Sequence, residues 1–135
     1  MKALALLLAT VPVLGAGAAT LFMLFLLTFP WENSEPTSDA VVVIAVGIGL
    51  VGLVLPALVC WFGIAVSRVR LAKRAYAIHA LVAGFLLAYG LSVSQHGDGQ
   101  ILSYVVPIEV CGLLAVALAS QHQLARRASG THAVR

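Results

Sequence analysis

Charged residues are scarce in this chain. Of its 135 residues, 10% are charged and 61% are hydrophobic, with five acids and eight bases in all. Soluble domains carry about 25% charged residues, so these charges are too few to cover the surface of a water-soluble protein of this size. The composition therefore excludes a soluble globular enzyme, a disordered tail and a nucleic-acid-binding domain.

Four long apolar runs account for most of the chain, and the first two contain no charged residue. They cover residues 3–29, 41–66, 75–94 and 101–120. A hydrocarbon core about 30 Å thick needs about 20 helical residues, and helices pair their backbone polar groups internally. No run shows the alternation of a barrel strand. We therefore predict an all-α fold, an integral membrane four-helix bundle in a single domain over residues 1–135, whose polar tail 121–135 frays.

The bases are distributed unevenly over this predicted arrangement. All eight fall on one side of the four spans, whereas the links on the other side hold acids and no base: Glu32, Glu35, Asp39 and Asp98. By the positive-inside rule, we predict that both termini are cytoplasmic and that the chain lies in a plasma membrane, the inner membrane of a bacterium. Membrane lipids are the expected partners of these bases, through weak attraction to anionic headgroups, and nucleic acid is not.

The N-terminal segment has a second interpretation. Lys2, the apolar stretch 3–15 and the sequence Ala-Gly-Ala at 16–18 resemble a secretory signal with its cleavage site. Cleavage there would leave residues 19–29 too short to span a bilayer. The apolar run continues without interruption past Ala18, so we favour an uncleaved first span.

Residues 47–52 match the glycine fingerprint G-x-G-x-x-G of dinucleotide-binding folds. That site also needs an acidic residue about 20 positions further on, and no Asp or Glu occurs between Asp39 and Asp98. We interpret these glycines as small residues that allow close approach of membrane helices. The predicted helix-packing positions are Gly49, Gly52, Gly63, Gly84 and Gly112.

Glu109 is the one acidic residue inside a predicted span. A carboxylate at that depth is costly and faces the bundle interior or marks a functional site. Gly112 lies one turn away, and Pro107 removes a backbone donor two residues earlier. We expect Glu109 to be a proton or ion site or, equally, an uncharged carboxyl that joins two helices by a hydrogen bond.

His79 is the second polar group inside a predicted span, with Tyr76 on the same helical face. Counted from the ends of the apolar runs, the depths of His79 and Glu109 differ by about 10 Å at 1.5 Å per residue. We therefore expect no direct ion pair between them. A water-linked proton relay is one alternative, and a hydrogen bond from His79 to a backbone carbonyl is the favoured one.

Groups for catalysis or metal binding are few. Cys60 and Cys111 are the only cysteines and lack the spacing of a metal or disulfide motif. His96 and Asp98 supply too few ligands for a metal site. We therefore expect a protein that is not an enzyme and needs no cofactor or metal.

Two main functional hypotheses follow, while a third, a membrane enzyme that acts on lipid or quinone, has the least support from the residues. The favoured one is a non-enzymatic membrane protein that binds another membrane protein within the bilayer, as an accessory subunit of a membrane complex or an immunity protein against a membrane-acting toxin. The alternative is a small homo-oligomeric transporter or channel coupled to protons or cations, with Glu109 as the coupling group.

Overall fold

The computed structural model describes residues 1–29, 38–93 and 98–132 of the chain. It is helical, and four helical stretches are long and apolar enough to cross a membrane: Lys2–Thr28, Asp39–Ala65, Val69–Ser92 and Leu102–Ser129. This confirms the predicted four-span helical architecture of a multi-pass membrane protein. The tryptophan, acids and prolines of the link 30–37, and His96 in the link 94–97, lie outside the described residues.

The helices are labelled in chain order. Their bounds are α1 (Lys2–Thr28), α2 (Asp39–Gly47), a π-helical segment (Ile48–Val54), α3 (Leu55–Ala65), α4 (Val69–Val93) and α5 (Asp98–His132). Two helices extend beyond the predicted apolar runs. Helix α4 begins six residues before Ala75, and α5 continues through the segment that was expected to fray. Leu, Ala, Arg, Lys and Gln dominate both extensions and are good helix formers, so the helices persist beyond their apolar parts.

The second span is one continuous helical rod that changes its pitch in the middle. Over Ile48–Val54 the backbone is π-helical, and the Leu55 N–H at its end bonds to the Leu50 oxygen, five residues back. The glycine fingerprint 47–52 begins at the last residue of α2 and continues into this segment, so it lies within a helix and not at the strand-to-helix turn that a dinucleotide site requires. π-Helical turns occur frequently at functional sites.

A tight turn joins α3 to α4. Ser67 has φ of 61° in the left-handed region. The N–H of Ser67 donates to the oxygen of Ile64 over 3.1 Å, and the N–H of Arg68 donates to the oxygen of Gly63 over 2.7 Å. This pair of bonds is a Schellman motif, which pairs the last carbonyls of α3 and reverses the chain.

The four spans run up and down, and their tightest packing lies toward one end. Helix α1 packs against α5 and along the whole second span, and α3 packs mainly against α4. The buried cluster contains Ala5, Ala9, Cys60, Ile64, Val69, Ala72, Ala75, Tyr76, Ala115 and Ala119. These residues lie toward the start of α1, the α3–α4 turn and the end of α5. Many of them are alanines, so the helices approach each other closely there.

The described lysines and arginines all lie at that same end, which we call the basic end: Lys2, Arg68, Arg70, Lys73, Arg74, Arg126 and Arg127. Asp39 begins α2 at the opposite end. Toward this opposite end α4 exposes large apolar side chains, including Leu81, Phe85 and Tyr89. Exposure of such side chains is expected where lipid, not water, surrounds the bundle.

Candidate functional site

Three polar side chains meet inside the bundle, at the inner limit of the tightly packed end. Tyr76 and His79 are three residues apart and therefore share one face of α4, while Glu109 projects from α5. We call these three residues the central cluster. The side chain of His79 is 3% exposed and that of Glu109 is 23% exposed. The sequence predicted all three as candidates, and the fold brings them into one hydrogen-bonded network.

His79 and Glu109 are in direct contact. The Nε2 atom of His79 lies 3.1 Å from Oε1 of Glu109. The prediction that a difference in depth keeps them apart is therefore wrong. Measured from the helix ends at the opposite side of the bundle, His79 precedes Val93 by about 21 Å of helix and Glu109 follows Asp98 by about 17 Å. The two residues lie closer in level than predicted because α5 begins three residues before the apolar run used for the prediction.

Tyr76 binds Glu109 from the other side. Its hydroxyl donates to the backbone oxygen of Glu109 over 2.6 Å and to Oε2 over 2.9 Å. The rings of Tyr76 and His79 are stacked, with centroids 6.0 Å apart. Each carboxylate oxygen of Glu109 therefore has a partner on α4, and these contacts join α4 to α5 inside the bundle.

The backbone of the second span completes the cluster. The Nδ1 atom of His79 lies 3.0 Å from the oxygen of Leu53, a buried residue of the π-helical segment. A carbonyl oxygen has two lone pairs and can accept from a side chain in addition to its helical partner. The expected bond from His79 to a backbone carbonyl is thus present, together with the unexpected contact to Glu109.

The contact with Leu53 determines the proton arrangement of the cluster. A carbonyl oxygen only accepts, so Nδ1 of His79 carries a hydrogen and donates it. The Nε2 to Oε1 contact then holds one further proton, carried either by the imidazole or by the carboxyl. With one shared proton the cluster has no net charge, whichever of the two residues carries it.

An apolar cleft begins at the central cluster. It has a volume of about 220 Å³ and lies between α1, the π-helical segment, α4 and α5. His79 and Glu109 supply its polar atoms, and the rest of its wall is apolar, with Met23, Leu86 and Ile108 among the larger side chains. A cleft of this kind can hold a small apolar group beside a single polar or charged one.

A second depression, the α4–α5 groove, lies on the other side of Glu109. Its volume is about 180 Å³, and Tyr76, Ala80, Gly84 and Leu113 contribute to its wall. Glu109 borders both the cleft between the helices and the groove along α4 and α5.

Four of the predicted packing glycines lie against neighbouring helices. A Cβ atom on Gly49 would lie 2.7 Å from Oγ1 of Thr20, one on Gly52 would lie 2.9 Å from Val82, and one on Gly63 would lie 2.9 Å from the backbone nitrogen of Ala72. A Cβ on Gly112 would overlap the ring of Tyr76. The last contact links helix packing to the central cluster, because the missing side chain leaves room for the tyrosine that binds Glu109.

Gly84 differs from the other four. A Cβ atom there would meet nothing within 4 Å, and the residue is exposed along the α4–α5 groove. Within the described residues, no neighbouring helix packs against Gly84, so its predicted role in helix packing stays a prediction. The small residue leaves open space on the lipid-facing side of the bundle.

The other chemistry-bearing residues stay apart. Cys60 is buried in the core, Cys111 is partly buried on α5, and both are free thiols. Within residues 1–29, 38–93 and 98–132, no group of three or more His, Cys, Asp or Glu side chains could hold a metal ion. The central cluster is thus the strongest site candidate in the described part of the chain.

Comparisons with protein families, curated proteins and solved structures add no relative to this description. No family model matches the chain, and neither a curated protein nor a solved structure shows a significant match to it.

Proposed function

We propose that this chain is a small proton-coupled membrane carrier in which the His79–Glu109 pair exchanges a proton for a cation. The observation that carries the proposal is the 3.1 Å contact between the two side chains in the wall of the apolar cleft. A titratable pair inside a membrane bundle is costly to maintain, and such pairs are characteristic of ion and proton pathways.

The proton arrangement gives this pair a means of exchange. Loss of the shared proton leaves a carboxylate opposite the lone pair of the His79 Nε2 atom, and a negative charge in an apolar wall is unfavourable. A cation that enters the cleft restores neutrality at Glu109. Return of the proton neutralises Glu109 and releases the cation. Cation and proton therefore compete for one carboxyl group, which is the condition for coupled exchange.

The cleft favours a particular class of cation. Its wall is apolar apart from His79 and Glu109, so an inorganic ion would lose most of its hydration without replacement oxygen ligands. A lipophilic organic cation of modest size fits better, because its apolar part contacts the wall while its charge faces Glu109. The volume of about 220 Å³ favours a small ligand.

The placement of charge supports an orientation for this carrier. The described bases lie at one end, and Asp39 lies at the other. By the positive-inside rule, the basic end, with the start of α1 and the end of α5, faces the cytoplasm of a cell whose plasma membrane holds the protein. Four helices form a narrow bundle, so we propose that the working unit is a homo-oligomer with the pathway between protomers.

Transport in proteoliposomes tests the proposal. A proton gradient should drive the uptake of a lipophilic cation, for which tetraphenylphosphonium and ethidium serve as probes. Glu109→Gln should abolish this uptake, because the amide cannot exchange a proton. Asp39→Asn is the matched control, since it neutralises a carboxyl group outside the cleft and should leave uptake unchanged. Equal uptake by Glu109→Gln and wild type, or no proton-driven uptake of either probe by wild type, contradicts the proposal.

A second candidate is a subunit that binds another membrane protein, such as an accessory subunit or an immunity protein. The observation that favours it is the α4–α5 groove, where a Cβ atom on Gly84 would meet no atom of the described residues within 4 Å. Gly84→Leu would fill the groove without disturbing the internal packing, so it should release a partner that copurifies with wild type in mild detergent. Copurification that Gly84→Leu leaves intact contradicts a partner in this groove.

A further inference from the structure

A second polar site lies at the basic end of the bundle, far from the central cluster. It is a groove of about 440 Å³ beside the first turn of α4, next to a small cavity of about 30 Å³ beside α1. Ser67, Val69 and Gln123 line both. We call the two together the basic groove, and its positively charged residues are Lys2, Arg68, Arg70, Arg126 and Arg127.

The charges of the basic groove come from three separate parts of the chain. Lys2 begins α1, Arg68 and Arg70 follow the α3–α4 turn, and the other two arginines project from α5. No Asp or Glu is among the residues that line it. The positive-inside rule accounts for bases on this side of a membrane, but it does not require bases from three helices to converge on one groove. Like charges brought together repel, and an anion between them removes that repulsion.

The groove also contains a buried polar atom that has no partner in the described part of the chain. The Nε2 atom of His122 is inaccessible and makes no hydrogen bond. His122 lines the small cavity together with Lys2 and Arg126. An acceptor or donor on a ligand would satisfy this nitrogen, while the hydroxyl of Ser67 and the amide of Gln123 supply neutral hydrogen-bonding groups to the same space.

The level of the basic groove corresponds to lipid headgroups. Arg70 lies five residues before Ala75, where the apolar run of α4 starts, a distance of about 8 Å along the axis. A hydrocarbon core of about 30 Å in a bilayer of about 40 to 45 Å leaves about 5 to 8 Å of headgroup on each side. Basic pockets at this level between membrane helices suit phosphate-containing headgroups.

We infer that the basic groove binds a phosphate group, which the headgroup of an anionic phospholipid or a free phosphate ion can supply. Arginine presents two parallel N–H donors to phosphate oxygens, and four of the five cationic residues are arginines. The site is independent of proton exchange at Glu109, because it lies at the other limit of the tightly packed core.

Arg126 and Arg127 are the residues to change, and the chain supplies a matched control. Both are exposed on α5, so Arg126→Gln with Arg127→Gln should leave the fold intact. Lys73→Gln with Arg74→Gln removes the same charge from the same end of the molecule, at exposed residues of α4 outside the groove. If only the overall positive charge attracts the phosphate group, the two double variants should lose the same affinity. If the basic groove is a specific site, only the Arg126/Arg127 variant should lose affinity.

The measurement is the affinity of the purified full-length protein, in uncharged detergent, for three probes at matched ionic strength. These are phosphatidylglycerol, phosphatidylcholine and inorganic phosphate, titrated by native mass spectrometry and by the shift in melting temperature. Wild type and the Lys73/Arg74 variant should bind phosphatidylglycerol at least about tenfold more tightly than the Arg126/Arg127 variant, because charged hydrogen bonds are lost in the latter. Arg126→Lys with Arg127→Lys should recover part of the affinity.

Comparison of the three probes identifies the source of the phosphate group. Stabilisation of wild type by phosphatidylglycerol and not by inorganic phosphate assigns a lipid headgroup, while equal stabilisation by inorganic phosphate assigns the free anion. The inference is overturned if the two double variants lose the same affinity for phosphatidylglycerol. It is also overturned if phosphatidylcholine binds as tightly as phosphatidylglycerol and inorganic phosphate has no effect.

Discussion

The Nδ1 atom of His79 lies 3.0 Å from the backbone oxygen of Leu53, and this contact joins the central cluster to the π-helical segment. It fixes which nitrogen of the imidazole donates and so leaves Nε2 to face Glu109. The second span therefore takes part in the site through its backbone alone. Three of the four spans contribute atoms to one hydrogen-bonded unit: the second through Leu53, the third through Tyr76 and His79, and the fourth through Glu109.

The protonation of His79 is the first prediction. Because the Leu53 oxygen can only accept, Nδ1 of His79 should carry hydrogen at every pH at which the protein stays folded. ¹⁵N NMR of histidine-labelled protein should therefore show a protonated Nδ1. The resonance is assigned by its absence from a His79→Gln sample, since the chain has four histidines. A tautomer with hydrogen on Nε2 alone would show that the contact with Leu53 does not form.

The second prediction separates the polar contacts of Glu109 from its charge. In Glu109→Gln, the amide oxygen can accept from Tyr76 and the amide nitrogen can donate to Nε2 of His79, so stability should stay within about 1 kcal/mol of wild type. Glu109→Leu leaves Nε2 of His79 without a partner and removes one of the two acceptors of the Tyr76 hydroxyl, which keeps its bond to the backbone oxygen of residue 109. It should lower the free energy of unfolding by about 1 to 3 kcal/mol. Denaturation with sodium dodecyl sulfate in mixed micelles measures both. Equal stability of the two variants would contradict the hydrogen-bonded network.

The four spans could be predicted because their signal is one of composition. Runs of about 20 apolar residues leave few structures other than membrane helices. The same reasoning identified Tyr76, His79 and Glu109, since polar residues inside apolar runs are conspicuous. The ends of α4 and α5 were predicted less well, because polarity marks the limit of the hydrocarbon and does not mark the limit of the helix.

The contacts between spans depend on the axial position of each helix and on its local pitch, which the sequence does not show directly. Helix α5 begins three residues before the apolar run, which changes an axial position by about 4.5 Å, enough to separate two side chains that are in contact. The π-helical segment was not predicted, although Gly47, Gly49, Gly52 and Pro56 mark that part of the second span as a weak α-helix. The Leu53 oxygen is a backbone atom, and residue type alone gives no indication of its role.

The third prediction concerns the turn between α3 and α4. Ser67 has φ of 61°, where a residue with a Cβ atom is strained by roughly 1 to 2 kcal/mol. Ser67→Gly relieves this strain but gains freedom in the unfolded chain, so the protein should become more stable by about 0.5 to 1 kcal/mol. Ser67→Ala keeps the Cβ atom and should give no gain. Thermal unfolding followed by circular dichroism compares the two, and a Ser67→Ala protein as stable as Ser67→Gly would contradict the assigned backbone conformation.

The last prediction compares two glycines that the sequence could not distinguish. Gly112→Ala places a methyl group against the Tyr76 ring and 3.0 Å from Pro12, so the ring must move away from Glu109. We expect a loss of about 1 to 3 kcal/mol, as for other overpacked sites. Gly84→Ala adds the same methyl group where nothing lies within 4 Å and should be neutral or more stable by up to about 1 kcal/mol, because alanine favours the helix.

Detergent denaturation of the two alanine variants gives these stabilities, and ¹⁵N NMR of the Gly112→Ala protein reports whether the imidazole environment of His79 changes with the tyrosine. A Gly112→Ala protein as stable as wild type, with unchanged His79 signals, would mean that Tyr76 does not depend on this glycine. A loss in Gly84→Ala would instead show that the groove is occupied in the protein as purified, since no atom of the described chain lies close enough to clash with the added methyl group. The pair thus tests the internal packing and the open groove with one chemical change.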